Sequence, residues 1–250
     1  MRVLVAIPVY NEERHVSRVL SQVLRLTDDV LVVDDGSTDA TPEILGFFRR
    51  IAIVRHEHNL GYGRSLIDAF CHAETRKYDW VLTMDCDDQH EPARIPAFIE
   101  RAEQDDADIV SGSRYLADLP GNTAAPPDRR KINGLITKLL NDTLGLSLTD
   151  SFCGFKAHRV EAIAKMRLTE SDYAFPLQFW VQAVRLGLRV TELPVQLIYN
   201  DPGRAFGGQL DDPGVRLRHY VQVFWAEMAR SALSSCAPPG VIAPVPAGGC

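Results

Sequence analysis

Short, wholly apolar runs alternate with longer segments of helical period from the first residues onward. Val3 to Val9 is apolar and rich in β-branched residues, and a polar turn stops it at Tyr10 to Glu12. Such a run is expected as a strand buried on both faces, with Pro8, which has no N–H to give, near its end. Glu13 to Leu26 then sets Val16, Val19, Leu20, Val23 and Leu24 at helical spacing. The same plan recurs. Val30 to Val33 reads as a strand ending in Asp34 and Asp35, Gly36-Ser37 as a turn, and Thr41-Pro42 as a helix start with Thr41 at the N-cap. Further strands are expected at Ile51–Val54, Val81–Met84, Ile109–Val110 and Arg189–Ile198. Helices are expected from Arg64 through Phe70, from Glu91-Pro92 through Ala102, from Ile132 through Leu144, over Phe175–Leu186 and over Val215–Leu233. Strands alternating with helices predict an α/β fold with a mostly parallel central sheet flanked by helices.

Composition narrows the class. A chain of 250 residues, 46% hydrophobic, is long enough for one large α/β domain. We expect a single catalytic domain over residues 1–235 and a disordered Pro/Gly/Ala-rich tail over residues 236–250. A net charge of -6 argues against a nucleic-acid partner. The five cysteines, at 71, 86, 153, 236 and 250, lack paired ligand spacing and read as reduced thiols of a cytoplasmic protein. No run approaches the ~20 apolar residues needed to cross a bilayer. A peripheral position at the cytoplasmic face of a membrane stays open, because the final helix carries aromatics and cations, although core packing is the stronger expectation.

The chemistry concentrates in Trp80 to Pro92, WVLTMDCDDQHEP. Residues two apart on a strand share a face, so Asp85 and Asp87 converge at the strand's carboxyl end, where open α/β sheets bind ligands. Asp88 and Gln89 fall where the chain turns. Three acids in four residues repel one another, and Mg2+ or Mn2+ with oxygen ligands would compensate them. The alternative is a solvated turn with a capping acid. Other positions carry the same two-sided reading: Asp35 as ligand contact or turn cap, and Gly61, Gly63 and Arg64 as phosphate loop or ordinary turn. Arg114 is an anion contact or a surface ion-pair partner, and the cations Arg129, Arg130 and Lys131 after the long Leu116–Lys131 loop are acceptor contacts or a decorated helix start. Asp150 is a base or a turn former, and Arg204 lies in a Gly/Pro/Asp-rich loop.

Six segments in fixed order, IPVYNEE, VVDDGSTDAT, NLGYGRSLIDAF, MDCDDQHEP, SGSRY and DSFCGFK, resemble glycosyltransferase family 2, in particular the branch of dolichyl-phosphate mannose synthase and polyprenyl-phosphate sugar transferases. The resemblance spans about Val3 to Leu197. It implies a GT-A type, Rossmann-like fold, with a nucleotide-binding half over about residues 1–114 and an acceptor half over about 115–235. It also implies inverting transfer from a nucleotide-sugar donor to a lipid phosphate or a saccharide hydroxyl. By the same resemblance Pro8, Tyr10 and Glu12 would line the nucleotide pocket, and Asp35 would contact the base. Asp85, Asp87 and Gln89 would hold the metal and diphosphate, with Arg64 sharing that load. Arg114, Arg129, Arg130 and Arg204 would face the acceptor. A hydroxyl acceptor would need a base, Asp150 first and Asp88 second.

The chain departs from the family pattern at Cys86 and Asp88, which replace small and aliphatic residues, at Ala69, which stands where Gly is common, and at its end, where no transmembrane pair follows. Two rivals are weighed. A phosphatase of the haloacid dehalogenase type also uses two Asp, two apart, but generally on the first strand and with Thr or Val where Gln89 stands. A non-catalytic nucleotide-sugar-binding module of the same fold is the other.

Overall fold

Each of the expected apolar runs is a strand of one sheet. The computed structural model describes residues 1–199 and 206–235, so the tail expected to be disordered and Arg204 lie outside the described residues. In chain order the elements are β1 (Val3–Val9), α1 (Val16–Val23), β2 (Val30–Asp34), α2 (Thr41–Leu45), β3 (Ala52–Arg55), α3 (Tyr62–Thr75), β4 (Trp80–Thr83), α4 (Ile95–Glu103) and β5 (Ile109–Ser113). They continue as α5 (Pro127–Leu144), β6 (Lys156–Arg159), α6 (Val160–Ile163), α7 (Phe175–Arg185), β7 (Val190–Pro194) and α8 (Pro213–Ser235).

The seven strands run in the order β3-β2-β1-β4-β6-β5-β7. All pairings are parallel except those of β6, which runs antiparallel to both β4 and β5. The chain moves outward from β1 through β2 to β3, then crosses to β4 on the other side of β1. That reversal opens a crevice at the carboxyl ends of β1 and β4.

Strand alternation sends residues to two cores. Leu4, Ala6, Leu31, Val33 and Val81 pack with α3, α5, α7 and α8. Val5, Ile7, Val32 and Leu82 pack with α1, α2 and α4. α8 belongs to the first core through Tyr220 and Phe224, as expected from core packing, while Trp225 stays half exposed. No described helix is long and apolar enough to cross a membrane.

Four expectations are corrected. α5 begins at Pro127, which shortens the preceding loop and puts Arg129, Arg130 and Lys131 in its first turns; Pro at the first helical position extends the helix upstream of its apolar stripe. Thr41 is the first helical residue and not the cap, its hydroxyl accepting the Glu12 N–H at 2.8 Å. The last strand is confined to Val190–Pro194. Cys71 is disulfide-bonded, which departs from the expectation of reduced thiols, while Cys86 and Cys153 stand outside any disulfide.

Phe98 of α4 is fully buried and stacked on Phe155, ring centroids 4.4 Å apart. Phe98→Ala is predicted to lower unfolding stability by about 3–5 kcal/mol, measured by urea denaturation; a loss below about 1 kcal/mol would mean the second core is not packed as described.

Candidate active site

At the carboxyl edge of the sheet, two turns are stitched together. Gly36 takes a left-handed φ of 71°, and a Cβ there would strike the His58 backbone, so only glycine fits. Asn11, also left-handed at φ 56°, gives its N–H to Ser37 Oγ at 3.0 Å and accepts the Thr38 N–H at 2.8 Å through Oδ1. These bonds fix Pro8 to Glu12 beside Asp35, and all line one cavity of about 620 Å3. Asp35 is buried and accepts the N–H groups of Leu60 at 2.8 Å and Gly61 at 2.9 Å. It therefore both caps the glycine loop and faces the cavity.

Beyond β4, Asp85, Asp87 and Gln89 reach the same cavity. Asp85 Oδ1 accepts the Tyr62 hydroxyl at 3.0 Å, and Asp87 Oδ1 accepts the Gln89 N–H at 3.1 Å. Burial, reinforced by the Asp85 charge, pushes the Tyr62 phenol well above its ordinary pKa, so it remains a donor. Gly154 clears room for the carboxylate: a Cβ there would lie 2.5 Å from Asp85 Oδ2 and 2.7 Å from the Tyr62 hydroxyl. Asp85 Oδ2 also lies 3.8 Å from His90 Nε2. Carboxylate and amide oxygens gathered on one cavity wall are the donor set of a hard divalent cation, so the residue types present fit a metal there.

Several expected site residues lie elsewhere. Asp88 takes φ 63°, which turns its side chain away from the cavity toward α1, where it pairs with Arg18 and lies 3.5 Å from His15 Nδ1. That pairing accounts for its extra charge and removes it as a base. Asp150 is completely buried, and Arg114 grips it through Nε at 2.6 Å and Nη2 at 3.0 Å, with Asn133 Nδ2 at 2.8 Å. Burial alone would raise its pKa, but Arg114 first and Asn133 after it hold the carboxyl well below the usual range. It is a locked anion behind Arg114, not a base facing an acceptor. Arg64 pairs with Asp68 at 2.8 Å on α3 and does not line the cavity. Arg130 stacks over Tyr115 at 3.7 Å and borders a separate shallow depression with Lys138.

Arg114 and Arg129 do line the cavity, the latter over the Phe206 ring at 4.5 Å. Sequence reasoning missed Arg216, which joins them from α8, buried at 2% exposure, donating to Asp128 Oδ2 and to the Leu210 carbonyl, both at 2.7 Å. Its signal was the run of cations at the start of the final helix. Also missed were Tyr62 and Tyr173, stacked with centroids 5.5 Å apart. Asp172, a further carboxylate on the wall, takes the Ala174 N–H at 2.6 Å and pairs with His219 Nε2 at 2.7 Å.

Carboxylates at the ends of parallel strands face arginines and aromatic rings across a cavity at the topological switch, the place where α/β enzymes of this sheet order bind their ligands. The family model described as glycosyl transferase family 2 matches residues 4–167, and the chain belongs to that family and is a glycosyltransferase. It is 31% identical to the undecaprenyl-phosphate mannosyltransferase of Micrococcus luteus over 82% of this chain and 87% of that one. It is 28% identical to the polyprenol monophosphomannose synthase of Mycolicibacterium smegmatis over 81% and 79%. These relatives place the resemblance in the polyprenyl-phosphate branch. Among solved structures, glucosyl-3-phosphoglycerate synthase from Mycobacterium tuberculosis, in complex with Mn2+, UDP-glucose and phosphoglyceric acid, superposes with a TM-score of 0.66 at 20% identity, covering 91% of this chain and 80% of that one. The fold is thus of GT-A type.

Asp150→Asn leaves the buried Arg114 charge without its partner, and the expected cost is about 3–5 kcal/mol. The sign with pH follows from the depressed native pKa: the carboxylate's contribution is present above about pH 4, its unfolded value, and is lost as the pH falls through the lower native value. The gap in stability between variant and wild type, followed by urea unfolding across pH, should be full at pH 7 and shrink only in strong acid.

Proposed function

We propose that this glycosyltransferase moves a sugar, with inversion, from a nucleoside diphosphate sugar to a phosphate-bearing polyprenyl lipid, using a divalent cation held by Asp85 and Asp87 with Gln89 beside them. The observation that carries the acceptor class is the chemistry of the cavity's later-sequence wall. Arg114, Arg129 and Arg216 line it. Asp150 is sealed behind Arg114, Asp88 is turned to α1, and both oxygens of Asp172 are engaged. A phosphate acceptor is already an anion, so it needs cations to position it and no base to take a proton. The names of the Micrococcus and Mycolicibacterium relatives support the same acceptor class.

Pro8, Tyr10, Glu12 and Asp35 form the nucleotide side of the cavity. Tyr62 holds the Asp85 carboxylate in place through its hydroxyl. A bound cation supplies Lewis acidity, neutralising charge on the departing nucleoside diphosphate. Arg114 and Arg129 orient the acceptor phosphate so that its oxygen bonds to the anomeric carbon from the side opposite the diphosphate. The bond from that carbon to the diphosphate oxygen breaks, and its electron pair leaves with the diphosphate. The configuration inverts. Mg2+ and Mn2+ both fit such a site, and Mn2+ in the neighbouring solved structure supports the latter. Residues 1–235 act as one catalytic domain, and the chain meets its acceptor as a peripheral protein at the cytoplasmic membrane surface.

The test is transfer of labelled sugar from GDP-mannose or UDP-glucose to undecaprenyl phosphate in detergent with Mn2+. The expected result is labelled glycolipid from the wild type and a loss of at least about 100-fold in Asp87→Asn with an unchanged far-ultraviolet spectrum. Undiminished transfer by Asp87→Asn would refute the metal site. Transfer to a saccharide instead, abolished by Asp172→Asn, would establish the hydroxyl-acceptor reading. Hydrolysis of a generic phosphate ester would revive the phosphatase, and nucleotide binding without any transfer would favour the binding module.

A further inference from the structure

The geometry points to His56 as a positioning residue for donor binding, acting through Asp35; this rests on the proposed assignment of Asp35 to the nucleotide side of the cavity. His56 follows the last residue of β3 and is buried at 9% exposure. Its Nδ1 lies 2.7 Å from Asp35 Oδ1 and its Nε2 lies 2.8 Å from Asp68 Oδ2. Each ring nitrogen therefore faces a carboxylate oxygen, Nδ1 toward Asp35 and Nε2 toward Asp68, and a proton on Nδ1 donates to Asp35. Its own backbone N–H is anchored to the Asp34 carbonyl at 2.9 Å, so the ring's attachment point is fixed by the sheet. Asp68 is held in turn by Arg64, through Nε at 2.9 Å.

The consequence lies in which lone pairs of Asp35 remain. A carboxylate offers about four acceptor sites. Oδ1 takes the Leu60 N–H and the His56 ring, while Oδ2 takes the Gly61 N–H as its one donor among the described residues. With both positions of Oδ1 filled, rotation of the carboxylate would break three bonds at once. The remaining Oδ2 position is thereby aimed, and Asp35 lines the cavity beside Asn59 and Gly61 of the same loop. A carboxylate held so accepts from an N–H of a nucleobase or a hydroxyl of its ribose. Without His56, Asp35 keeps its two backbone donors but loses one of the three bonds that resist rotation of the carboxylate. Arg64, expected to touch the diphosphate, instead serves this network from outside the cavity.

The experiment compares wild type, His56→Phe, His56→Gln and Asp68→Asn. Binding of UDP, GDP, ADP, CMP and dTDP with Mn2+ is measured by calorimetry, and KM and kcat by the glycolipid assay with GDP-mannose or UDP-glucose. In His56→Phe the donor KM and the dissociation constant of the bound nucleotide should rise about tenfold, the effect of one lost charged hydrogen bond. The kcat and the KM for undecaprenyl phosphate should stay within about twofold. His56→Gln, with one amide able to donate to Asp35, should recover part of the loss, and Asp68→Asn should move donor KM in the same direction by less. A folded His56→Phe with unchanged donor KM and nucleotide affinity, or a His56→Gln no better than His56→Phe, overturns the inference while leaving the donor site standing. Should His56→Phe not fold, an Asp68→Asn protein with wild-type nucleotide affinity overturns it equally. Failure of the wild type to bind any of the five nucleotides removes the donor-site reading and this inference with it.

Discussion

Negative charge carried to the end of a buried strand must be answered, and the carboxyl edge of this sheet is organised by the answers. Asp34 accepts the Ser37 N–H at 2.9 Å and lies 3.3 Å from Arg55 Nε. Asp35 is answered by two backbone donors and an imidazole, Asp150 by Arg114 and Asn133, and Asp88 by Arg18. Desolvating a carboxylate without such partners would cost several kcal/mol. Asp85 shares the cavity wall with Asp35 and Asp87, and accepts the Tyr62 hydroxyl at 3.0 Å while lying 3.8 Å from His90 Nε2. The proposed cation and diphosphate would add to that charge balance at Asp85 and Asp87.

The opposite wall follows the same logic with the sign reversed. Arg216 is buried between α5 and the turn before α8, paired with Asp128, and Arg129 is the residue after that aspartate. The ion pair thus ties α8 to the start of α5, where Arg129 sits over Phe206. Aromatic faces beside guanidinium groups can shelter cations without quenching them. A wall of this kind receives an anion readily and abstracts a proton poorly. Asp150, which could have served as a base in the open, is instead the counterion that keeps Arg114 oriented.

Much of this was legible in the chain. The apolar runs of β1, β2 and β4 read as buried strands, but β4 ends at Thr83, so Asp85 and Asp87 reach the cavity from the turn after the strand and not from one strand face. The ordered motifs reached the family before any coordinates. What escaped depended on partners distant in sequence. β6 reads KAHR, and its polarity hides a strand: the buried His158 packs tilted against Phe70 and edge-on against Phe179, and burial, aided by Lys156, drives its pKa down to about 3, which keeps the ring neutral. Asp150 reads as a turn former until Arg114 arrives from β5. Asp88 reads as a second candidate base or a turn acid until a left-handed backbone turns it toward α1. Arg216 reads as a surface cation until α8 packs its start against α5.

The central claim, that Asp85 and Asp87 hold a cation on which the donor's diphosphate depends, is most directly tested by thermal unfolding with UDP-, GDP-, ADP-, CMP- and dTDP-sugars, each with and without Mn2+, on wild type and Asp87→Asn. A ligand at about 100 times its dissociation constant adds roughly 2.7 kcal/mol, or about 5–10 °C for a domain of this size. One donor class should raise the wild-type midpoint by that amount only with metal, and should leave Asp87→Asn unmoved. An equal shift in the variant, or one indifferent to metal, would contradict it.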